Sequence, residues 1–370
     1  MNKLKSAYAL SGVDYTLIDP LKKLAQNLAK TTSTHSNIKV IEESRGESAF
    51  VWEEEDAFRA FVIESLGTKN LIADEMRKIT GKTYSERTYY DCLAQDTVAM
   101  IINDLIAVGA KPQVVNAYFS AGSSDWFADS QRAKDLVEGW ANACKLAGAV
   151  WGGGESPSLS GIINSDVGEL AGSAIGIIKP KERLTLGDKI EAGDVIVLIS
   201  SSGLHCNGAS LVRRIAKDLP DGFATKLPNG NYFGEEVLVP TYIYAKVVEA
   251  LFDNDVDIHY LVNITGHGWK KLMRANRDLT YLITQIPPTP PIFEFIQEKG
   301  NLSDFEMYET FNVGAGFAII INPADEQKAL DIINQNGFQA WIGGRVEKGM
   351  RQVVIKPKNI TFEAETLDLR

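Results

Sequence analysis

Glu64, Lys69, Asp96, Asn103 and Asp104 are the polar side chains of this sequence best placed to do chemistry together. The last three interrupt a largely apolar stretch, Gln95 to Pro112, that reads as a buried helix closed by Gly109. At helical pitch seven residues return almost to the same face, so Asp96 and Asn103 point the same way with Asp104 beside them. A carboxylate on a buried helix is costly unless it is paired, hydrogen-bonded or bound to a cation. Mg²⁺ suits such a set, because it takes oxygen ligands and bridges one or two carboxylates to substrate phosphates. Lys69 would add a point charge on the same phosphates. A plainer reading fits the same residues: Asp96 caps the helix and Asp104 pairs with a Lys or Arg.

Three glycine-containing segments add candidates. Ser200-Ser201-Ser202-Gly203-Leu204-His205-Cys206-Asn207-Gly208 follows a strand and opens a helix, an arrangement that offers backbone N–H groups to an anion. It is neither a Walker A loop nor GxGxxG, and an ordinary turn with Asn207 as N-cap fits it equally. Gly152-Gly153-Gly154-Glu155 lets backbone approach a ligand, or makes a tight turn. Asn263-Ile264-Thr265-Gly266-His267-Gly268 and Thr310-Phe311-Asn312-Val313-Gly314 could line a cleft, with His267 as an exposed donor or acid/base group or as a solvated loop histidine. His205 ranks first among the histidines for its place in the anion-type loop. Nothing matches a Ser/His/Asp order or HExxH.

The elements that must carry these groups alternate. Strands are expected over 58–64, 113–120, 149–151, 169–178, 194–200, 313–321 and 339–346, and helices over 19–25, 130–147, 209–219, 242–252 and 325–336. That alternation predicts an α/β or α+β protein. The polar stretch from Lys179 to Gly193 is the best boundary, giving domains 1–180 and 181–370. The length of 370 residues exceeds one ordinary core. A net charge of −10 without a basic run argues against nucleic acid and anionic membrane as partners. The three scattered cysteines form no CxxC pair, so a reducing cytoplasm fits better than a disulfide framework. Met1-Asn2-Lys3-Leu4-Lys5 lacks the apolar core of a signal peptide, and no window approaches a membrane span.

In order along the chain these segments resemble one family. Tyr8-x-x-x-Gly12-Val13-Asp14, Gly67-Thr68-Lys69, Asp96 with Asn103-Asp104-Leu105, and Gly153-Gly154-Glu155 come first. Leu170-Ala171-Gly172, Ser201-Ser202-Gly203-Leu204-His205, Asn207-Gly208 and Pro240-Thr241-x-Ile243-Tyr244 follow, then Ile264-Thr265-Gly266 and Met307-Tyr308-x-Thr310-Phe311-Asn312-x-Gly314. The set is similar to that of the aminoimidazole ribonucleotide synthetases, the phosphoribosylformylglycinamidine cyclo-ligases. The resemblance runs from about residue 6 to residue 346. It implies an N-terminal ATP-binding domain whose strands join a second subunit's in a dimeric barrel, with a C-terminal α/β domain beside it. It implies ATP-dependent closure of formylglycinamidine ribonucleotide, a phosphoribosyl amidine, to aminoimidazole ribonucleotide, ADP and phosphate in purine synthesis, in a cytoplasmic homodimer.

By position the resemblance assigns Mg²⁺ to Glu64, Asp96 and Asp104, and catalysis to His205 and Lys69. It assigns ATP to Thr68, Lys69, Asp96, Asn103, Gly153, Gly154, Glu155, Asn207 and Asn312. The chain departs from the family pattern at Glu64-Ser65-Leu66, usually Asp-Gly-Val, at Ala117 and Ser158 where carboxylates are usual, at Asn263 where His is usual, and at His267 where Gly is usual. These departures keep open a paralogous ATP-dependent amide- or acid-activating enzyme and a nucleotide-binding protein without catalysis.

Overall fold

A computed structural model describes residues 7–81 and 87–367, so Met1 to Lys5 lie outside the described residues. The N-terminal part runs Ala7–Leu10 (α1), Tyr15–Thr32 (α2), Lys39–Val40 (β1), Phe50–Glu54 (β2), Ala57–Ser65 (β3), Asn70–Thr80 (α3) and Tyr90–Ile106 (α4). Lys111–Ala121 (β4), Ser130–Ala147 (α5), Val150–Glu155 (β5) and Gly168–Ile178 (β6) complete it. Its sheet has the order β1-β2-β3-β6-β4-β5, antiparallel except for the β4–β5 pair.

The second part runs Val195–Ser200 (β7), Ala209–Asp218 (α6), Phe233–Val237 (α7), Ala245–Asp253 (α8), Ile258–Asn263 (β8), Leu279–Ile283 (β9) and Pro291–Gly300 (α9). Asp304–Thr310 (α10), Ala315–Ile321 (β10), Glu326–Gln335 (α11), Ala340–Lys348 (β11), Gln352–Ile355 (β12) and Ile360–Glu363 (β13) follow. The order is β13-β12-β9-β11-β7-β10-β8, antiparallel except for β12–β9. The fold is therefore mixed α/β with two sheets, one in each part. Strands β8, β10 and nearly all of β7 are buried along their length, which is why they read as unbroken apolar runs.

Helix α4 is apolar all round because it is enclosed all round. It packs on β3, β4 and β6 on one side and meets α5 and α8 on the others. Residue 172 on β6 has to be glycine, since a Cβ there would lie 2.4 Å from the Asn116 carbonyl oxygen and 2.8 Å from Ile101 of α4. The opposite sheet face is uncovered in the single chain: Phe61 and Ile63 of β3, Tyr118 of β4 and Val150 of β5 are 42, 70, 36 and 67% exposed.

The sequence-based expectation fails in instructive places. Gly152-Gly153-Gly154-Glu155 is not a loop after a strand; it is the strand β5 itself, paired with Asn116 to Tyr118. Glycine has low strand propensity, but parallel pairing to β4 overrides it. Helix α2 is more than twice as long as expected from 19–25, and Pro20 sits in it near its start. Asp96 is no N-cap, because α4 begins at Tyr90.

Candidate functional site

The two parts meet along α4. From its C-terminal-part face, Gln95 Nε2 donates to the Thr241 carbonyl at 2.9 Å and Asn103 Nδ2 to the Tyr242 carbonyl at 2.8 Å. Asn103 Oδ1 accepts the Tyr244 N–H at 3.0 Å. Asp96 Oδ1 accepts both the N–H and the hydroxyl of Thr241, at 2.9 and 2.5 Å. Its other oxygen lies 2.7 Å from Lys69 Nζ, with both side chains fully buried, as an ion pair rather than an aligned hydrogen bond. So Asp96 and Asn103 do share a face, as helical pitch requires, but that face bolts α4 to the backbone of residues 241–244.

Asp104 looks elsewhere. It lies eight residues beyond Asp96, which along a helix is about 12 Å. Asn263 Nδ2 donates to its Oδ1 at 2.7 Å, Lys271 is among its near charges, and Glu64 lies within hydrogen-bonding reach. Removal from water and then the Asp104 charge push the Glu64 carboxyl up to about 7. Burial pulls the Lys271 ammonium down to about 8, and it donates to the Thr265 hydroxyl. Among the described residues no three carboxylate, histidine or cysteine side chains converge as metal ligands. The expected set Glu64–Asp96–Asp104 is therefore split: helix length separates Asp96 from the other two, and both its oxygens are already engaged.

The loop from Ser201 to Gly208 leads into α6, whose N-cap, Gly208, supplies no side chain. Gly208 has φ +88°, and a Cβ there would strike the Phe311 ring at 2.1 Å. Asn312 holds this loop, donating to the carbonyls of Gly203 and Leu204 at 2.9 and 3.1 Å and accepting the Gly314 N–H at 2.9 Å. Its role is structural support of the loop, since its donors and acceptor are spent there. Thr68 touches the same helix start, its hydroxyl 3.0 Å from that of Ser210. Asn207 Oδ1 is buried without a partner.

His205 is buried, with Nε2 accepting the Ser202 N–H at 3.3 Å. Burial, and then the Lys69 charge, pull its pKa to about 3. A ring that stays neutral through the physiological range is poorly suited to act as an acid/base group in the catalysis expected of it. His267 is not an exposed loop histidine either: its ring stacks on Tyr15 with centroids 3.9 Å apart. Loss of water, then Lys271 and further cations, pull its pKa to about 3. Glu155 and the glycines before it lie exposed on the sheet edge, and Glu155 accepts its neighbour Ser156's N–H, so the structure does not bring them to the loop or to Glu64.

Sequence reasoning missed Lys271 and Tyr15, and named Thr241 in a motif without giving it a role. A lysine is ordinarily a surface residue, and nothing in its neighbours marks Lys271 as fully buried. Tyr8 stood in the N-terminal motif without a role; it packs against the core, with its ring 6.1 Å from that of Tyr15.

Comparison with known proteins gives this geometry a family. Residues 54–178 match the N-terminal domain, and residues 191–356 the C-terminal domain, of AIR synthase related proteins. The chain is 35% identical over 341 residues to the phosphoribosylformylglycinamidine cyclo-ligase of Methanocaldococcus jannaschii, covering 92% of this chain and 91% of that one. It is 36% identical over 330 residues to the enzyme of the same name from Methanobrevibacter smithii, covering 88% and 90%. Among solved structures it is similar in fold to AaThiL complexed with AMPPCP and TMP, with a TM-score of 0.58, 15% identity and 98% of each chain covered. T. maritima PurL complexed with FGAR gives 0.56 at 17% identity, over 87% of this chain and 48% of that one. With both family domains present in order and full-length relatives above 30% identity, the chain belongs to the AIR synthase related family.

Proposed function

We propose that this protein is an ATP-dependent cyclo-ligase that converts formylglycinamidine ribonucleotide to aminoimidazole ribonucleotide, ADP and phosphate, as a step of purine synthesis in the cytoplasm. The observation that carries the reading is the 35% identity to a curated cyclo-ligase across 92% of this chain. Fold alone does not choose the substrate, because proteins with other substrates share it. Among the described residues no helix is long and apolar enough to cross a membrane.

In this reaction the formamide oxygen attacks the γ-phosphorus of ATP and ADP leaves. The neighbouring nitrogen then attacks the activated carbon, phosphate leaves, and a proton is lost. The chain's task is to hold charge and exclude water. The Ser201–Gly208 loop and the uncapped start of α6 would take phosphate through backbone N–H groups, with Asn207 beside them. Lys69 would act from below, through the Asp96 pair that supports the floor of the site, rather than as a free phosphate ligand.

Mg²⁺ fits Glu64 and Asp104 better than Asp96. Two half-buried or buried carboxylates close enough to share a proton, with Asn263 and Thr265 alongside, form an oxygen-rich site for a hard cation. When bound there, Mg²⁺ would neutralise the ATP phosphates. Domains 1–180 and 181–370 would carry the nucleotide and the rest of the cleft between them, and the uncovered face of the first sheet would pair with a second copy in a homodimeric barrel. The test is direct. Purified protein with ATP, Mg²⁺ and formylglycinamidine ribonucleotide should yield ADP and aminoimidazole ribonucleotide in equal amounts; nucleotide binding without either product would reject the reading.

A further inference from the structure

The corner where α4 meets the end of β8 holds an amide oxygen that nothing satisfies. Asn263 closes β8 and is 2% exposed. Its side-chain amide lies 2.7 Å from Asp104 Oδ1 on α4. A carboxylate accepts, so the amide atom facing it is Nδ2, and this fixes which way the amide is turned. Oδ1 is thereby directed away from Asp104, and it is buried without a hydrogen-bond partner among the described residues. An unpaired buried amide oxygen is costly, and it marks a place where a donor from outside the chain belongs.

The surroundings are rich in acceptors. Glu64, from the end of β3, lies within hydrogen-bonding reach of Asp104. Asn263 Nδ2 is spent on Asp104, and Lys271 donates to the Thr265 hydroxyl rather than to Asn263. What this corner lacks is an N–H. The ligand group that complements it carries several N–H bonds and tolerates positive charge, as an amidine does. A carbonyl in the same place would set oxygen against oxygen.

We propose that Asn263 Oδ1 accepts the N–H of the substrate's exocyclic amidine nitrogen, and that this contact makes the enzyme choose an amidine over the corresponding amide. This rests on the cyclo-ligase reading given above. Asp104 orients the Asn263 amide, and the amide reads the substrate. A buried polar group that a substrate N–H satisfies rejects the analogue lacking that N–H, because the group is then left unpaired. Asn263 takes no proton, since an amide oxygen is not a base at neutral pH. The exocyclic nitrogen keeps its place outside the ring as the ribosyl-bearing nitrogen attacks the formyl carbon, so the contact persists through the reaction. Its loss therefore raises KM more than it lowers kcat. The histidine usual at this position in the family can make the same pair of contacts, with one ring nitrogen donating to Asp104 and the other accepting.

The test compares formylglycinamidine ribonucleotide with its oxo analogue, in which C=O replaces the amidine C=N–H. The readout is the inhibition constant of the analogue divided by the KM of the amidine. That ratio should be about 100 in wild type and fall below about ten in Asn263→Ala. Asn263→Ser, whose hydroxyl can still donate to Asp104, should lose the discrimination too, and it replaces the alanine variant if that one fails to fold. Asn263→His should keep the wild-type ratio. An unchanged ratio in Asn263→Ala or Asn263→Ser would overturn the contact. So would an unchanged ratio accompanied by a higher Mg²⁺ requirement, which would give the oxygen to the cation. If wild type forms no aminoimidazole ribonucleotide, the cyclo-ligase reading fails; the same ratio, taken from dissociation constants in calorimetry, then still decides whether Asn263 selects the amidine.

Discussion

Asp96 is a buried anion with a buried cation 2.7 Å away, and the two must be judged together. Removing one partner of such a pair strands the other charge in a medium that cannot solvate it, which costs about 3–5 kcal/mol, whereas replacing both by apolar groups is often neutral. Asp96→Ala should therefore lower stability in urea by roughly that much, and Lys69→Met with Asp96→Leu should recover most of the loss. If Asp96→Ala instead unfolds at the wild-type midpoint and only loses Mg²⁺ dependence, Asp96 is the metal ligand its position in the sequence suggested. Glu64 makes the opposite claim. Glu64→Gln should raise the Mg²⁺ concentration for half-maximal turnover about tenfold, equivalent to ~1.4 kcal/mol, in a Mg²⁺ titration at saturating ATP. An unchanged titration would remove Glu64 from the cation site.

The loop from Ser201 to Gly208 was legible as an element because a buried strand, glycines and an amphipathic helix follow each other within one short stretch. Its support was not, since Asn312 lies more than a hundred residues away in sequence and reaches back to it. Asn312→Ala should leave two buried carbonyls and the Gly314 N–H short of partners, costing roughly 2 kcal/mol in urea unfolding. It should also raise the KM for ATP more than it lowers kcat; an effect on kcat alone would detach the loop from nucleotide binding. A second pairing unforeseen from the chain joins β8 to the turn before β7. His259 lies 2.7 Å from Asp194 and 3.2 Å from Asp257, and the Asp194 hydrogen bond first, against burial, raises its pKa. A raised pKa makes the folded state the stronger proton binder. Its contribution is complete below the unfolded value near 6.5 and is lost as pH rises through the folded value. Melting temperature should thus fall across that window more in wild type than in His259→Gln, and parallel profiles would show that the imidazolium adds nothing.

On the scale of the whole molecule, the open face of the first sheet presents Phe61, Ile63, Tyr118 and Val150 together, and monomeric proteins seldom leave such a patch uncovered. The homodimer proposed above should appear in sedimentation velocity at micromolar protein. Ile63→Lys with Phe61→Ser should shift it toward monomer without loss of secondary structure, and a wild-type monomer would leave the patch to some other cover. What the sequence determined by itself was whatever depends on near neighbours and order along the chain: the buried run of α4, the alternation of strands and helices, the turns at Gly208 and Gly266, and the ordered motifs that mark the family. Tertiary structure alone decided which of the buried charges meet. Helical pitch put Asp96 and Asn103 on one face, but packing chose what that face touches, the backbone of residues 241–244, and folding brought Lys69 to Asp96 and Glu64, Lys271 and Asn263 to Asp104. A charge's partner is set by distance in space and by the solvent excluded around it, and neither quantity is written in its spacing along the chain.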